Sequence, residues 1–329
     1  MLTDPKHLAP ALPLSRDTEA PHPQYILDDR ARLALRMAWA TGRPLLVVGE
    51  AGCGKTQLAW ALACAWQVPL FKQVVNAQSK AEDLLYHFDA VARLADAQIH
   101  AHLRDKHDGD VLDPRHYLRP GPLWWAWHWQ QASKLLEDRP EHRAAPVPAA
   151  MPGWSPEHGS VVLIDEIDKA PVEVPEGLLE VLDGGSFDIP WTGERVDTTA
   201  SAVAARPPLV IITSNGAREL PAPFLRRCIV LAMAVPDTAL EAWLQCRARA
   251  HFAESACADA VTLWAAQLIA IDRAQARVDG RYIPGVAEYL DLLKAVVELL
   301  PGAGDDDQIK LLTALAPAVT IDKGKAVAA

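Results

Sequence analysis

Short apolar runs alternate with amphipathic stretches through the first two thirds of the chain, and amphipathic stretches alone fill the rest. Leu45-Leu46-Val47-Val48, Val161-Val162-Leu163-Ile164 and Leu209-Val210-Ile211-Ile212 are continuous in aliphatic residues. Such runs predict strands covered on both faces, as in a parallel sheet. Leu70 to Val75 predicts a further short strand. Helical spacing runs from Tyr25 to Ala40, where Thr41-Gly42-Arg43-Pro44 stops it, and from near Gln57 to Trp66. Ser79 and Glu82 form a capping-box pattern, which predicts a helix through Leu84, Leu85, Phe88 and Val91 toward His102. Asp108-Gly109-Asp110 predicts a turn, and Pro120-Gly121-Pro122 precedes a predicted helix from Leu123 to about Leu136. Glu176 to Leu182 is helical, and Ser186 to Val196 alternates around Trp191-Thr192-Gly193-Glu194, which predicts a β-hairpin. From Thr238 onward the pattern is helical only, broken at Gly280, Pro284-Gly285 and Pro301-Gly302.

This order predicts an α/β domain at 24–235 and a separate all-helical domain at 236–322. A proline-rich extended arm is expected at 1–23 and a frayed tail at 323–329. The α/β part carries the hairpin as an insert near 186–196 and a Trp-rich helical insert near 79–159, whose end, with five prolines from 139 to 159, reads as a loop. In that insert Trp125 and Trp129 share one helical face, while Trp124 and Trp127 share another. Aromatics on two faces fit either deep burial or a partner surface.

Composition narrows the function classes. The chain has 329 residues, half of them hydrophobic, enough for about two domains at ~100–200 residues each. Its formal net charge is −10 and it has no long Lys/Arg block, which argues against nucleic acid as the main ligand. Five scattered cysteines without a C-x-x-C pair fit a reducing, cytoplasmic setting. No apolar run approaches the ~20 residues of a membrane span. Six histidines fall between His87 and His128 without the compact spacing of a metal site.

Chemistry concentrates at four places. Gly49-Glu50-Ala51-Gly52-Cys53-Gly54-Lys55-Thr56 spells G-x-x-x-x-G-K-T between a predicted strand and a predicted helix. Strand, glycine loop and helix N-terminus are what triphosphate binding requires, because backbone N–H groups wrap the phosphates and the helix dipole adds positive potential. Gly49 to Gln57 are the expected nucleotide contacts, with Lys55 on the β- and γ-phosphates and the Thr56 hydroxyl on Mg²⁺. Asp165-Glu166 ends the second aliphatic run, at the sheet edge where ligands bind in open parallel sheets. Asp165 is the candidate for the Mg²⁺ shell and Glu166 for orienting or deprotonating water. Thr213-Ser214-Asn215 ends the third run, and Asn215 is placed to bond that water or the γ-phosphate. Arg226 and Arg227 end a short helical stretch after it, where either could reach into a neighbouring subunit's site and stabilise the transferring phosphoryl group.

In this order the motifs resemble the AAA+ ATPases, and among them the MoxR-like group. The narrower likeness rests on Asp165-Glu166-Ile167-Asp168-Lys169-Ala170-Pro171, on Gly177 to Leu182, on the hairpin entry Ser186-Phe187-Asp188-Ile189-Pro190 and on Tyr117-Leu118-Arg119-Pro120-Gly121-Pro122-Leu123. The resemblance covers about residues 25–300 and implies a P-loop AAA+ core, a parallel sheet flanked by helices, with a small C-terminal all-α lid. It also implies ATP and Mg²⁺ as ligands, a homo-oligomeric ring with six subunits the expected number, and remodelling or maturation of a protein client alongside a von Willebrand factor A domain protein. The lid arginine frequent in this family has no counterpart after Pro284; Arg277 and Arg281 are the neighbouring candidates to replace it. Two other classes stay open: a slow-turnover nucleotide switch or scaffold in a defence or signalling complex, and a nucleic-acid motor. Nothing in the residues separates adenine from guanine, and ATP is preferred on family frequency.

Overall fold

A computed structural model describes residues 8–17, 23–103, 112–139, 147–148, 151–184, 186–197 and 207–319. The turn expected at Asp108-Gly109-Asp110 and the tail from Lys323 lie outside them. Two short strands open the chain, β1 (Ala11–Pro13) and β2 (Gln24–Ile26), paired antiparallel. The arm is therefore extended where described, but it is tied to the body: the Trp60 indole N–H donates to the Leu14 carbonyl at 2.7 Å, and the Arg16 guanidinium lies 5.3 Å over the Trp60 ring. Helix α1 (Asp29–Thr41) starts later than the spacing suggested. Tyr25 and Ile26 pair in β2, and the Asp28 carboxylate caps the helix by accepting the Ala31 N–H at 2.7 Å.

β3 (Leu45–Gly49), α2 (Lys55–Trp66) and β4 (Leu70–Val74) follow as predicted. The helix expected from Ser79 does not form as one piece. Asn76 and Ser79 close a turn on each other, and a carboxylate cap falls one residue later, where the Lys80 N–H donates to Asp83 at 2.8 Å over a single 3-10 turn, Ala81–Leu84. Next, β5 (Tyr86–Phe88) pairs with β6 (Leu118–Pro120), and helix α3 is confined to Ala90–Leu103. The expected helix from Leu123 to Leu136 is split at His128 into α4 (Pro122–Trp127) and α5 (Trp129–Glu137). The Trp125 and Trp129 rings lie 5.0 Å apart across that break. Trp124 and Trp125 are buried, Trp124 edge-on to Phe187 at 5.6 Å, so these two serve the core.

β7 (Val161–Asp165), α6 (Glu173–Gly184) and the hairpin β8 (Ser186–Ile189) with β9 (Glu194–Asp197) come next. They are followed by β10 (Leu209–Ser214), α7 (Ala222–Arg227) and β11 (Ile229–Met233). The last strand is not among those predicted above, although Ile229 to Met233 is uniformly apolar. Five strands form one parallel sheet in the order β11-β3-β10-β7-β4. Alternate residues of the inner strands point to opposite faces. Leu46, Val162, Ile164 and Ile212 meet α4, α6 and the hairpin on one side; Leu45, Val47, Leu163 and Ile211 meet α1 and α2 on the other. Because α2 is packed on more than one side, Leu58, Ala59, Leu62, Ala63 and Trp66 are all buried.

Four helices complete the chain: α8 (Leu240–His251), α9 (Asp259–Asp279), α10 (Val286–Leu299) and α11 (Asp305–Val319). They enclose a core of their own around Leu244, Ile269, Tyr289, Leu292 and Leu312. Among the described residues no helix is long and apolar enough to cross a membrane.

Candidate functional site

The glycine loop leaves the C-terminal end of β3 and enters α2 at Lys55. Gly54, immediately before the helix, has φ 96°, a left-handed value that side chains resist. At Gly49 the reason is space: a Cβ there would lie 2.3 Å from the Met233 carbonyl oxygen of β11. Lys55 is buried, and its ammonium donates to the carbonyls of Gly49 at 2.8 Å and Glu50 at 2.6 Å. Cys53 is buried beside it; burial pushes its thiol pKa up against the pull of Lys55. Ala51 and Gln57 are exposed at either end of the loop.

β7 and β10 are neighbours in the sheet, so their ends deliver Asp165-Glu166 and Thr213-Ser214-Asn215 to one place. Asp165 Oδ1 accepts the Thr213 hydroxyl at 2.7 Å and the Thr56 hydroxyl at 3.0 Å. Lys72, on β4, lies 3.0 Å from Asp165 Oδ2. Burial alone would raise the Asp165 pKa; hydrogen bonds from Thr213, Lys72 and Thr56 outweigh it and hold the carboxyl below its ordinary value. Thr213 also accepts the Glu166 N–H at 2.9 Å, so one hydroxyl joins the two acidic residues.

Glu166 has φ 64°, a left-handed value in a residue that is not glycine. Its carboxylate takes the Asn215 side-chain N–H at 3.2 Å on one oxygen and the Lys169 ammonium at 2.7 Å on the other. Asp168, buried, accepts the backbone N–H groups of Asn215 at 3.2 Å and Ala217 at 2.9 Å, which fixes the Asn215 turn. Thr213, Asp168 and Lys169 were not among the residues predicted. All three lie inside motifs quoted for other residues, but only the fold shows what they touch. Arg226 and Arg227 sit at the end of α7 with exposed side chains. Arg43, just ahead of β3, grips that helix end by donating to the main-chain carbonyls of Arg226, Arg227 and Cys228.

A second connection to the loop comes from the helical domain. Arg273 on α9 is 3% exposed and donates to Glu50 Oε2 at 2.5 Å and to the Pro284 carbonyl at 2.9 Å. Glu288 on α10 accepts the Gly285 N–H at 2.8 Å and the Tyr282 hydroxyl at 2.7 Å, which braces the turn beside the loop. The two arginines considered from the sequence are engaged elsewhere: Arg277 pairs with Asp237, and Arg281 with Asp272 and Asp279.

A family model described as the AAA domain, dynein-related subfamily, matches residues 44–228, more than half of the chain. The chain belongs to this AAA family. It is accordingly an ATPase, and the loop, the two strand ends and α7 all fall within the matched span. Some solved structures are similar to the chain at low identity. A point mutant of Thermotoga maritima RuvB is 18% identical, with 87% of this chain and 68% of that one covered and a TM-score of 0.43. A second RuvB structure from the same organism, described as a Holliday junction branch migration motor, is 17% identical over 86% of this chain and 66% of that one, TM-score 0.41. A candidate ATPase of Cytophaga hutchinsonii is 13% identical over 88% and 79%, TM-score 0.37. No curated protein matches the chain.

Proposed function

We propose that this AAA ATPase binds ATP with Mg²⁺ through Gly49–Gln57 and Asp165, hydrolyses it in an oligomeric ring, and uses the cycle to remodel or mature a protein partner. The observation that supports this best is the hydrogen-bonded line from Thr56 through Asp165 and Thr213 to Glu166 and Asn215. A hydroxyl and a carboxylate 3.0 Å apart are hard oxygen donors of the kind Mg²⁺ selects, and the metal would neutralise charge on the phosphates. Lys55 and the loop N–H groups then hold the phosphates, and Glu166 accepts a proton from the attacking water while Asn215 fixes its orientation. Arg226 or Arg227 of an adjacent subunit supplies the remaining positive charge. Closed rings satisfy such head-to-tail contacts, and six subunits is the number we favour.

The MoxR-like placement rests on the residues from Asp165 to Pro171 and on the hairpin insert, and it makes a von Willebrand factor A domain protein the partner to look for first. We place the protein in the cytoplasm on its scattered thiols. The test is a pair of variants. Lys55→Ala loses ATP binding, and Glu166→Gln binds ATP but turns it over at least ~100-fold more slowly, the scale of a general base. Wild-type turnover in Glu166→Gln overturns the assignment.

A second reading, a slow switch in a defence or signalling complex, draws support from the grip of Lys169 on Glu166, which restrains the base. Stimulation of turnover by a captured partner separates a remodeller from a switch.

A further inference from the structure

Lys72 has no place in the function above, yet it touches the residue on which metal binding depends. It stands on β4, the edge strand of the sheet, opposite Leu163 of the neighbouring β7. From there its side chain reaches two residues further along β7 to Asp165 Oδ2, at 3.0 Å. The two oxygens of Asp165 are thereby divided. Oδ1 takes the shorter contacts to the Thr213 and Thr56 hydroxyls, at 2.7 and 3.0 Å. Oδ2 faces the ammonium, with the Thr56 hydroxyl at 3.2 Å. No other acidic group pairs with Lys72 among the described residues. Its side chain is 41% exposed, against 11% for Asp165, so the lysine can swing into solvent while the aspartate cannot. Lysine suits such a role: a compact point charge on a flexible stem, without the planar fork that would lock an arginine onto the carboxylate.

We propose that Lys72 is a positioning residue for the metal site, the resident counter-ion of Asp165, which Mg²⁺ must displace or outcompete as the nucleotide enters. This rests on the reading that Asp165 holds Mg²⁺. The ammonium and the metal would compete for one carboxylate, so whatever the ammonium contributes to holding Asp165 is subtracted from the apparent affinity for the metal. The ammonium also keeps the carboxylate turned toward Thr56 between cycles, and its departure reports that a divalent cation has arrived.

The test uses the full chain freed of metal with EDTA, a fluorescent methylanthraniloyl-ATP probe, and a MgCl₂ titration read as probe binding. Lys72→Met lowers the Mg²⁺ concentration at half-saturation by roughly two- to fivefold, the span of a partly exposed ion pair, while Lys72→Arg restores a half-point at or above that of the wild type. An unchanged half-point in Lys72→Met overturns the proposal by making the pair a bystander. A raised half-point overturns it by making Lys72 part of the ligand's own shell. Asp165→Asn tests the underlying reading separately: if Mg²⁺ dependence survives that change, Asp165 is not the metal's carboxylate, whatever Lys72 does. The melting temperature of each variant, measured without ligand, separates a fold defect from a binding effect.

Discussion

The carboxylate cluster at the end of β7 and the arginine that α9 lays on the loop both restrain Gly49–Thr56, by different physics. In the cluster the partners are mostly short and neutral, two threonine hydroxyls and an amide, arriving from the end of the adjacent strand β10 and the first turn of α2. Little side-chain freedom is lost in making these bonds, and the sheet register sets the geometry. The contact from the helical domain is a single charged pair between residues 223 positions apart, one side 3% exposed and the other 47%. The cluster is therefore built for fixed chemistry, and the Arg273–Glu50 pair for contact that depends on where the helical domain sits.

That difference can be broken experimentally. The largest effect beyond the two variants already described falls on Thr213→Val, which keeps the shape and removes the hydroxyl that joins Asp165 to the Glu166 N–H. Both partners then lose a bond in a buried place, and the loss of stability is about 1–3 kcal/mol by chemical unfolding. Turnover falls with it, while ATP binding through the loop persists; equal loss of binding and turnover would refute the separation.

A smaller and lopsided effect is expected at the other contact. Glu50→Ala strands a buried guanidinium whose Nε already lacks a partner, although its bond to the Pro284 carbonyl remains, and costs about 1–2 kcal/mol. Arg273→Met leaves behind a half-exposed carboxylate that water can solvate, and costs about 1 kcal/mol or less. Equal melting shifts for the two variants would show that the arginine is not truly desolvated.

The smallest effect is on pH dependence. Hydrogen bonds hold the Asp165 pKa below the ordinary aspartate value of 3.8 in the folded protein. A depressed carboxylate stabilises the fold above the unfolded value and loses that contribution as pH falls through the folded one. Acid titration of stability should therefore show a component below pH 3.8 that is absent in Asp165→Asn.

These contrasts also explain what could be read in advance. The loop, both strand ends and the arginine-tipped helix are contiguous motifs, each placed by a local pattern, and the fold brings the loop and the strand ends together. The alternation of strand and helix marked the sheet and the helical C-terminal unit. Two errors share a cause. Tyr25 and Ile26 have helical spacing but are taken by pairing with Ala11 and Leu12, and Phe88 sits in a predicted helix but pairs with Leu118. In each, a distant partner overrides local propensity. Arg273 was illegible for the same reason, since nothing near it in the chain points to Glu50.

Glu166 has a further meaning for how this protein can evolve. Its backbone is held at φ 64°, where a side-chain-bearing residue stores on the order of 1 kcal/mol that glycine would release. Drift that selects for thermal robustness alone would thus push this position toward a residue that cannot take a proton from water. If Glu166 is the base, as proposed, a relative with glycine after the strand-end aspartate should be sturdier and inert.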